Sequence, residues 1–354
     1  MSSIISDNNI KELYKCFLNR EKLGINYAII FVFNDTNNAD KMHWTECITP
    51  IEYRMIMKSF FQISQYVYSF NSEDKFIKSI PSLKLKHKNI LVYSMAQNVK
   101  GNGRRVLIPL ICKYYNLINI GSNESSSFLS GDKKLMFNLL NNIKELHFPS
   151  SIYCDSQSNT DFKSIIRNLP NGKYILKPND ESASIGVTLL DYNNSYTNKA
   201  IEIIEEYSKI YSSFVIQELI DGDEVEITLL NVNNCFYCPG VCQIIYDKDS
   251  LYLDYDTIGA DAYDFAEYEG NKEDIINAAL IVAQKLNFNV ISRIDFRIAD
   301  DTPYIIDIGA NPTISTHSSA NYEFRKVFGS ESSIYHILVM KSMMDNNLFE
   351  PPLN

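Results

Sequence analysis

Several absences in this chain narrow what it can be. No apolar run in its 354 residues approaches the roughly 20 needed to span a membrane, and the opening MSSIISDNNIKELYKCFLNR lacks the charged-then-apolar layout of a signal peptide. A soluble, cytoplasmic protein with no membrane partner is the expectation. Basic residues are also short: 33 Lys and Arg against 43 Asp and Glu give a formal net charge of -10, which argues against a general nucleic-acid binder. Seven cysteines without an export signal read as reduced thiols rather than a disulfide framework. Cys235, Cys238 and Cys242 have a chelating look, but three ligands in line with no nearby histidine fall short of a zinc site. Nor do His43, His87, His147 and His336 show ligand spacing, so structural or solvent-facing roles are expected for them. There is no internal repeat and no low-complexity segment.

What is present is an ordinary apolar fraction of 45% over a length suited to two or three domains. Short apolar runs at Tyr27 to Phe33, Asn89 to Tyr93 and Leu117 to Ile120 alternate with helical patterns near Ile51 to Tyr66 and Arg105 to Tyr115. That alternation predicts a small βαβ unit with a parallel sheet. Gly101-Asn102-Gly103 precedes the second helix, where an ordinary loop competes with an anion-binding turn. A second region begins near Glu124, with a helix over Lys133 to Leu146. A strand at Lys173 to Lys177 and its partner at Ile185 to Leu190 follow. The connection PNDESASIG reads two ways, as a plain hairpin loop or as a phosphate-facing loop with Ser184 and Lys177 beside it. Further on, Phe214 to Glu218 and a strand from Glu224 flank the acidic turn Asp221-Gly222-Asp223. A strand pair is expected around Pro239-Gly240, and amphipathic helices over Glu273 to Leu286 and Glu331 to Asp345.

The most informative stretch is ISRIDFRIADDTPYIIDIGANPTISTHSSA, Ile291 to Ala320. Arg293, Asp295 and Arg297 alternate with Ile294, Phe296 and Ile298, and Tyr304 to Ile308 repeats the period after a turn near Asp301. Antiparallel pairing puts Asp295 opposite Asp307, roughly 5 Å apart on one face. Two carboxylates so placed repel, and a hard divalent cation, Mg²⁺ or Mn²⁺, relieves them when a nucleotide's phosphates complete the shell. A solvated hairpin salted by Arg293 and Arg297 is the alternative.

Taken in order, these segments resemble an ATP-grasp enzyme, and most closely the D-alanine:D-alanine ligase branch of that superfamily, from about Gly103 to Ala320. The segments are GRRVLIPLICKYYNLINIGS, Gly131-Asp132-Lys133, YILKPNDESASIGVTLL, FVIQELIDGDEVEITLL, ISRIDF and YIIDIGANP. The resemblance implies an α/β fold, α+β in parts, with ATP held between two α+β subdomains. It implies an N-terminal Rossmann-like domain (1–125), a central lid subdomain (126–220) and a C-terminal catalytic subdomain (221–354). Lys133 and Lys177 would contact ATP phosphates, Gln217 and Leu219 would flank adenine, and Glu224 would hold the ribose. Asp295 and Asp307 would bind Mg²⁺, Arg293 would steady developing charge, and Ser184 would act from the loop. The activity implied is carboxylate–amine ligation through an acyl phosphate on small amino-acid or peptide substrates, with a homodimer through the N-terminal domain. Two lids are implied, 179–186 and Tyr252 to Tyr268. Thr316-His317-Ser318 matches a segment that binds the amine donor's carboxylate; a surface position for His317 also fits.

The chain departs from the family at several positions. The substrate-binding glutamate of the N-terminal motif is not recognisable, leaving Glu46 or Glu52 to serve, so specificity for D-alanine loses its main support. Gly309 stands where the family has a metal-binding asparagine, with Asn311 as a substitute two residues on. Ile258 replaces a phosphate-contacting lysine, Ala183 a loop serine and Ser182 a glycine. A different amide-forming ligase leads these readings, a true D-alanine:D-alanine ligase follows, and a non-catalytic ATP-binding scaffold is the third.

Overall fold

The computed structural model describes residues 4–19, 26–36, 41–97, 101–156, 158, 161–246 and 250–351. Both expected lids, 179–186 and Tyr252 to Tyr268, lie within the described residues. Three sheets carry the architecture. The first is parallel, in the order β2-β1-β3-β4, from β1 (Ala28–Val32), β2 (Tyr66–Phe70), β3 (Ile90–Ser94) and β4 (Ile118–Asn119). Every residue of β1 is buried, as a parallel strand covered on both faces requires. Its crossovers are α2 (Pro50–Phe61), α3 (Glu73–Lys86) and α4 (Leu107–Tyr115). The βαβ expectation holds, with a correction: the helix expected to reach Tyr66 stops at Phe61, because Tyr66 to Phe70 leave it to form β2 beside β1.

The second sheet is antiparallel, in the order β5-β8-β6-β7, from β5 (Ser151–Asp155), β6 (Gly172–Pro178), β7 (Thr188–Tyr192) and β8 (Ser213–Glu218). Helices α7 (Phe162–Arg167) and α8 (Thr197–Ile210) close its core through Ile166, Ile201 and Ile204 against Leu176 and Phe214. Before this sheet come α5 (Glu124–Leu129) and α6 (Lys133–Leu140). The latter is shorter than the pattern to Leu146 predicts, since the chain turns after Leu140 and Leu146 packs into the third sheet's core instead.

The third sheet is built on β9 (Asp223–Val232), β13 (Ile291–Ala299) and β14 (Thr302–Gly309), with β11 (Val241–Ile245) and β12 (Asp264–Glu267) beyond β9. The expected strands near Pro239-Gly240 form, but not as partners. β10 (Cys235–Tyr237) and β11 both pair with β9, because Asn233 and Asn234, at φ 53° and 63°, make the tight turn at the end of β9. α9 (Tyr255–Gly259) precedes β12, and α10 (Lys272–Lys285) covers one face of the sheet. α11 (Ser319–Phe328) and α12 (Ser333–Asp345) follow. The closing helix is not amphipathic as expected: Ser333 through Met343 are all buried, since α12 lies between α1 (Asp7–Leu18), α2, α11 and the first sheet. His336 joins α12 to α2, with Tyr14 Oη at 2.9 Å from Nδ1 and Ser59 O at 2.8 Å from Nε2. No helix among the described residues is long and apolar enough to cross a membrane, and the cysteines form no disulfide in this structure.

Candidate active site

The middle of the third sheet lines up three carboxylates in one row. Glu226 on β9 pairs with Asp295 on β13, which pairs with Asp307 on β14. The expected Asp295–Asp307 pairing is therefore present, and an irregularity in the ladder just after Asp295 lets the strands continue with Ile305 opposite Phe296. Arg293, two residues along the same face, donates from Nε and Nη2 to both oxygens of Asp295, each at 2.8 Å. Its Nη1 lies 3.4 Å from Glu226 Oε2, which also accepts from the Ser319 hydroxyl. On the other side, Arg297 donates to Glu224 Oε2 at 2.8 Å, Tyr246 Oη at 2.7 Å and Gly222 O at 3.0 Å. Glu224 accepts a further hydrogen bond from Tyr246.

Burial and charge set these groups apart electrostatically. Burial pushes Asp295 up to about 7, with Glu226 and Asp307 adding to the rise and Arg293 opposing it. Burial works in the same direction on Asp307, but Lys133, Lys177 and Arg293 prevail and hold it below the usual carboxylate range. Lys177 is brought down to about 8 by burial, although Asp307 favours its charged form.

Lys133, Lys177, Gln217 and Asp307 come together around one open cleft between the second sheet and β14. Met136, Phe137 and Phe148 make one wall apolar, and Lys177 Nζ reaches Ile306 O at 2.8 Å. A cleft with apolar walls, two lysines and a hard carboxylate has the donor set that a purine and a metal-bound polyphosphate require. Leu219 and Glu224 lie outside its lining: the Leu219 N–H bonds Lys173 O at 2.9 Å, and Glu224 is taken up by Arg297.

The 179–186 loop is fastened down over this region. Ala183, Ser184 and Gly186 have φ of 52°, 53° and 74°, a left-handed stretch in which Ile185 N–H donates to Ser182 O at 3.0 Å and Val187 N–H to Ser184 O at 3.1 Å. Lys133 Nζ donates to Glu181 O at 2.5 Å, and Ser184 Oγ to Leu253 O at 2.8 Å, which ties the two expected lids together. Arg104 Nη1 bonds Glu181 at 2.8 Å and Glu46 at 3.3 Å, while its Nη2 bonds Asp180 O at 2.7 Å. The Ser182 hydroxyl donates to Glu46. His43, expected to be merely structural or solvent-facing, lies 3.7 Å from Glu181. His43, Glu46 and Glu181 bring ligand atoms within 4.8 Å of one another, but Arg104 already bridges the two carboxylates, so the cluster is an ion-pair latch.

The remaining positions point elsewhere. Asn311 accepts from Ser122 N at 3.1 Å and donates to Ser127 Oγ at 2.7 Å, so both ends of its amide hold the β4–α5 loops. Ser318 caps α11, accepting from Asn321 N at 3.3 Å. His317 packs against Tyr263 and Phe265, with ring centroids 4.6 and 4.9 Å away, and its buried Nε2 has no partner. Of the two glutamates left open, Glu46 faces the interior, whereas Glu52 is used by the capping box with Thr49. The sequence reading did not single out Glu226, Arg104, Arg105 or Ser319. Glu226 was accessible through the period-2 spacing from Glu224; the others carry no local signal.

A family model described as an ATP-grasp domain matches residues 130–317, more than half of the chain, and the chain belongs to that family. Among curated relatives, the D-alanine–D-alanine ligase of Coprothermobacter proteolyticus is 26% identical over 212 residues, covering 58% of this chain and 67% of its own length. That of Flavobacterium psychrophilum is 26% identical over 254 residues, covering 66% and 69%. The fold matches the D-alanine–D-alanine ligase from Bacillus anthracis complexed with ATP at a TM-score of 0.68, with 14% identity, 91% of this chain and 99% of that one. VanG D-Ala:D-Ser ligase from Enterococcus faecalis follows at 0.65, with 16% identity, 90% and 99%. The fold is the α/β ATP-grasp fold, and the class is that of ATP-dependent carboxylate–amine ligases, which form C–N bonds.

Proposed function

We propose that this protein activates the carboxylate of an amino acid or peptide-like acid as an acyl phosphate and passes the acyl group to an amine, releasing ADP and phosphate. The observation that carries this reading is the pairing of Asp295 with Asp307 beside Arg293 and Lys177. ATP occupies the cleft of Lys133, Lys177 and Gln217, with Leu219 at the hinge and Glu224 toward the ribose once Arg297 yields it. Asp295 and Asp307 would hold Mg²⁺ or Mn²⁺, whereas Asn311, expected as a further ligand, has both ends of its amide committed to Ser122 and Ser127. The metal, when bound, neutralises phosphate charge. Arg293 steadies charge on the transferred group and on the tetrahedral adduct that follows. The 179–186 loop, with Ser184, keeps water from the acyl phosphate, and His317 with Ser318 lies toward the amine substrate.

The chain divides on this reading into units 1–125, 126–220 and 221–354, pairs as a homodimer and works in the cytoplasm, where ATP is supplied. The names of the relatives favour a second reading, ligation of two D-alanines. Phosphate release from Mg-ATP across pools of D- and L-amino acids and amines, with mass spectrometry of active pools, tests both. A condensed product establishes the ligase and names its substrates. ATP binding without amine-dependent release in any pool overturns the ligase reading in favour of a non-catalytic ATP-binding protein.

A further inference from the structure

Lys133, Lys177 and Asp307 make part of the cleft between the second sheet and β14 charged, and Gln217 contributes an uncharged amide to the same lining. Gln217 is buried on β8, directly opposite Ser151 of β5. Its Nε2 donates to Ser151 Oγ at 3.1 Å, and the Ser151 hydroxyl donates in turn to Pro149 O at 2.9 Å. A hydroxyl carries a single hydrogen. With that hydrogen on Pro149 O, Ser151 Oγ can meet Gln217 as an acceptor and in no other way, so the group that faces it must be the NH₂.

The two ends of an amide have nearly the same shape, and the surrounding hydrogen bonds decide which end is oxygen. Turning Gln217 over would set Oε1 against Ser151 Oγ with no hydrogen between them, unless the hydroxyl abandoned Pro149 O on a buried residue. Either way about one hydrogen bond is lost, roughly a tenfold penalty. The amide is therefore locked. Its Oε1 accepts no hydrogen bond among the described residues and is the acceptor that Gln217 offers to the cleft. A 6-aminopurine presents an N–H donor at that edge, whereas a 6-oxopurine presents a carbonyl and would call for the NH₂ that Ser151 already holds.

We propose that Ser151 is a positioning residue that sets the choice of nucleotide base: by locking the Gln217 amide with its oxygen toward the cleft, it selects a 6-aminopurine nucleoside triphosphate against a 6-oxopurine one. Ser151 lies outside the lining of the cleft and acts through Gln217. The inference rests on the proposed reading for the presence of a purine nucleotide in this cleft. The direction of the selection comes from the hydrogen-bond chain Gln217–Ser151–Pro149.

The test is calorimetric titration of the full chain, in Mg²⁺, with the β,γ-imido analogues of ATP and ITP. The wild type is expected to bind the ATP analogue about tenfold more tightly or better. Ser151→Ala, which frees the amide to turn, is expected to bring the ratio to within about threefold of unity, while Ser151→Thr, which keeps the hydroxyl, retains the wild-type ratio. A serine with a merely structural role would weaken both analogues alike and leave the ratio where it was. An even or inverted ratio in the wild type overturns the inference, and so does a ratio that survives in a folded Ser151→Ala. If that variant fails to fold, Gln217→Met decides: the ratio is expected to collapse, and its survival overturns the inference. Selective binding without phosphate release in any amine pool would overturn the ligase reading and leave this inference standing; release with an even ratio would do the reverse. Binding of neither analogue overturns both.

Discussion

Asp295 and Asp307 face each other across β13 and β14, yet their surroundings drive their acidities in opposite directions. Arg293 grips Asp295 along its own strand, while Asp307 looks across the cleft at Lys133 and Lys177. The pair is therefore pre-neutralised from two sides rather than left as bare repelling charges. On the proposed reading, that arrangement would let the protein fold with the row buried and still offer oxygen ligands to a metal–nucleotide complex.

Asp295→Asn and Asp307→Asn are each expected to lower turnover by at least about a hundredfold, because on the proposed reading each would remove a hard anionic ligand from the metal–phosphate contact. Amine-dependent phosphate release checks this, with circular dichroism to show that the fold survives. Near wild-type rates in either variant would sink the metal assignment.

Lys177→Ala should weaken ATP binding by about tenfold or more, since the lysine lies in the cleft opposite Asp307 and nothing else in β6 supplies a charge there. Titration with a fluorescent ATP analogue reads the effect. An unchanged affinity would remove Lys177 from the phosphate site.

Arg104→Ala is expected to loosen the 179–186 loop, because Arg104 alone bridges Glu46, Glu181 and Asp180 O. With the site less sealed, water should compete for the acyl phosphate. The ratio of ADP formed to amide formed should rise by several fold, as measured by parallel ADP and product assays. A ratio that stays constant would mean that the latch does not exclude water.

Glu323 offers a test of stability away from the chemistry. Burial raises it to about 7, and its Oε1 has no partner. An unfolded glutamate releases its proton near ~4.3, so between that value and about 7 the folded state binds more protons and stability falls as pH rises. Above about 7 the penalty is complete. Glu323→Gln is expected to be more stable than the wild type by about 1–3 kcal/mol at pH 8 and nearly equal at pH 4.5. Denaturant unfolding at both values decides, and equal stability at pH 8 would contradict a raised pKa for this group.

The hairpin carrying Asp295 and Asp307 was legible because its signals are local: period-2 alternation on both arms and Asp-Asp-Thr-Pro between them. Two crossovers of the first sheet, α2 and α4, were legible for the same reason, whereas α3 was not anticipated. Elsewhere local pattern misled. A helical pattern running on to Tyr66 hid β2, and the apparent strand pair at Pro239-Gly240 separated because a neighbour, β9, was the better partner for both strands. In α12 the expected polar face is covered, so its amphipathic pattern reported composition rather than exposure.

The sequence by itself determined the family, the β13–β14 hairpin and the opposition of its two carboxylates, since the motifs and the hairpin each depend on residues close together along the chain. The tertiary structure decided what surrounds them. Glu46 meets Ser182 across 136 residues, and Arg105 meets Asn311 across 206, contacts with no trace in local periodicity because they form only after separate sheets have packed. The latch over the loop arises from that packing.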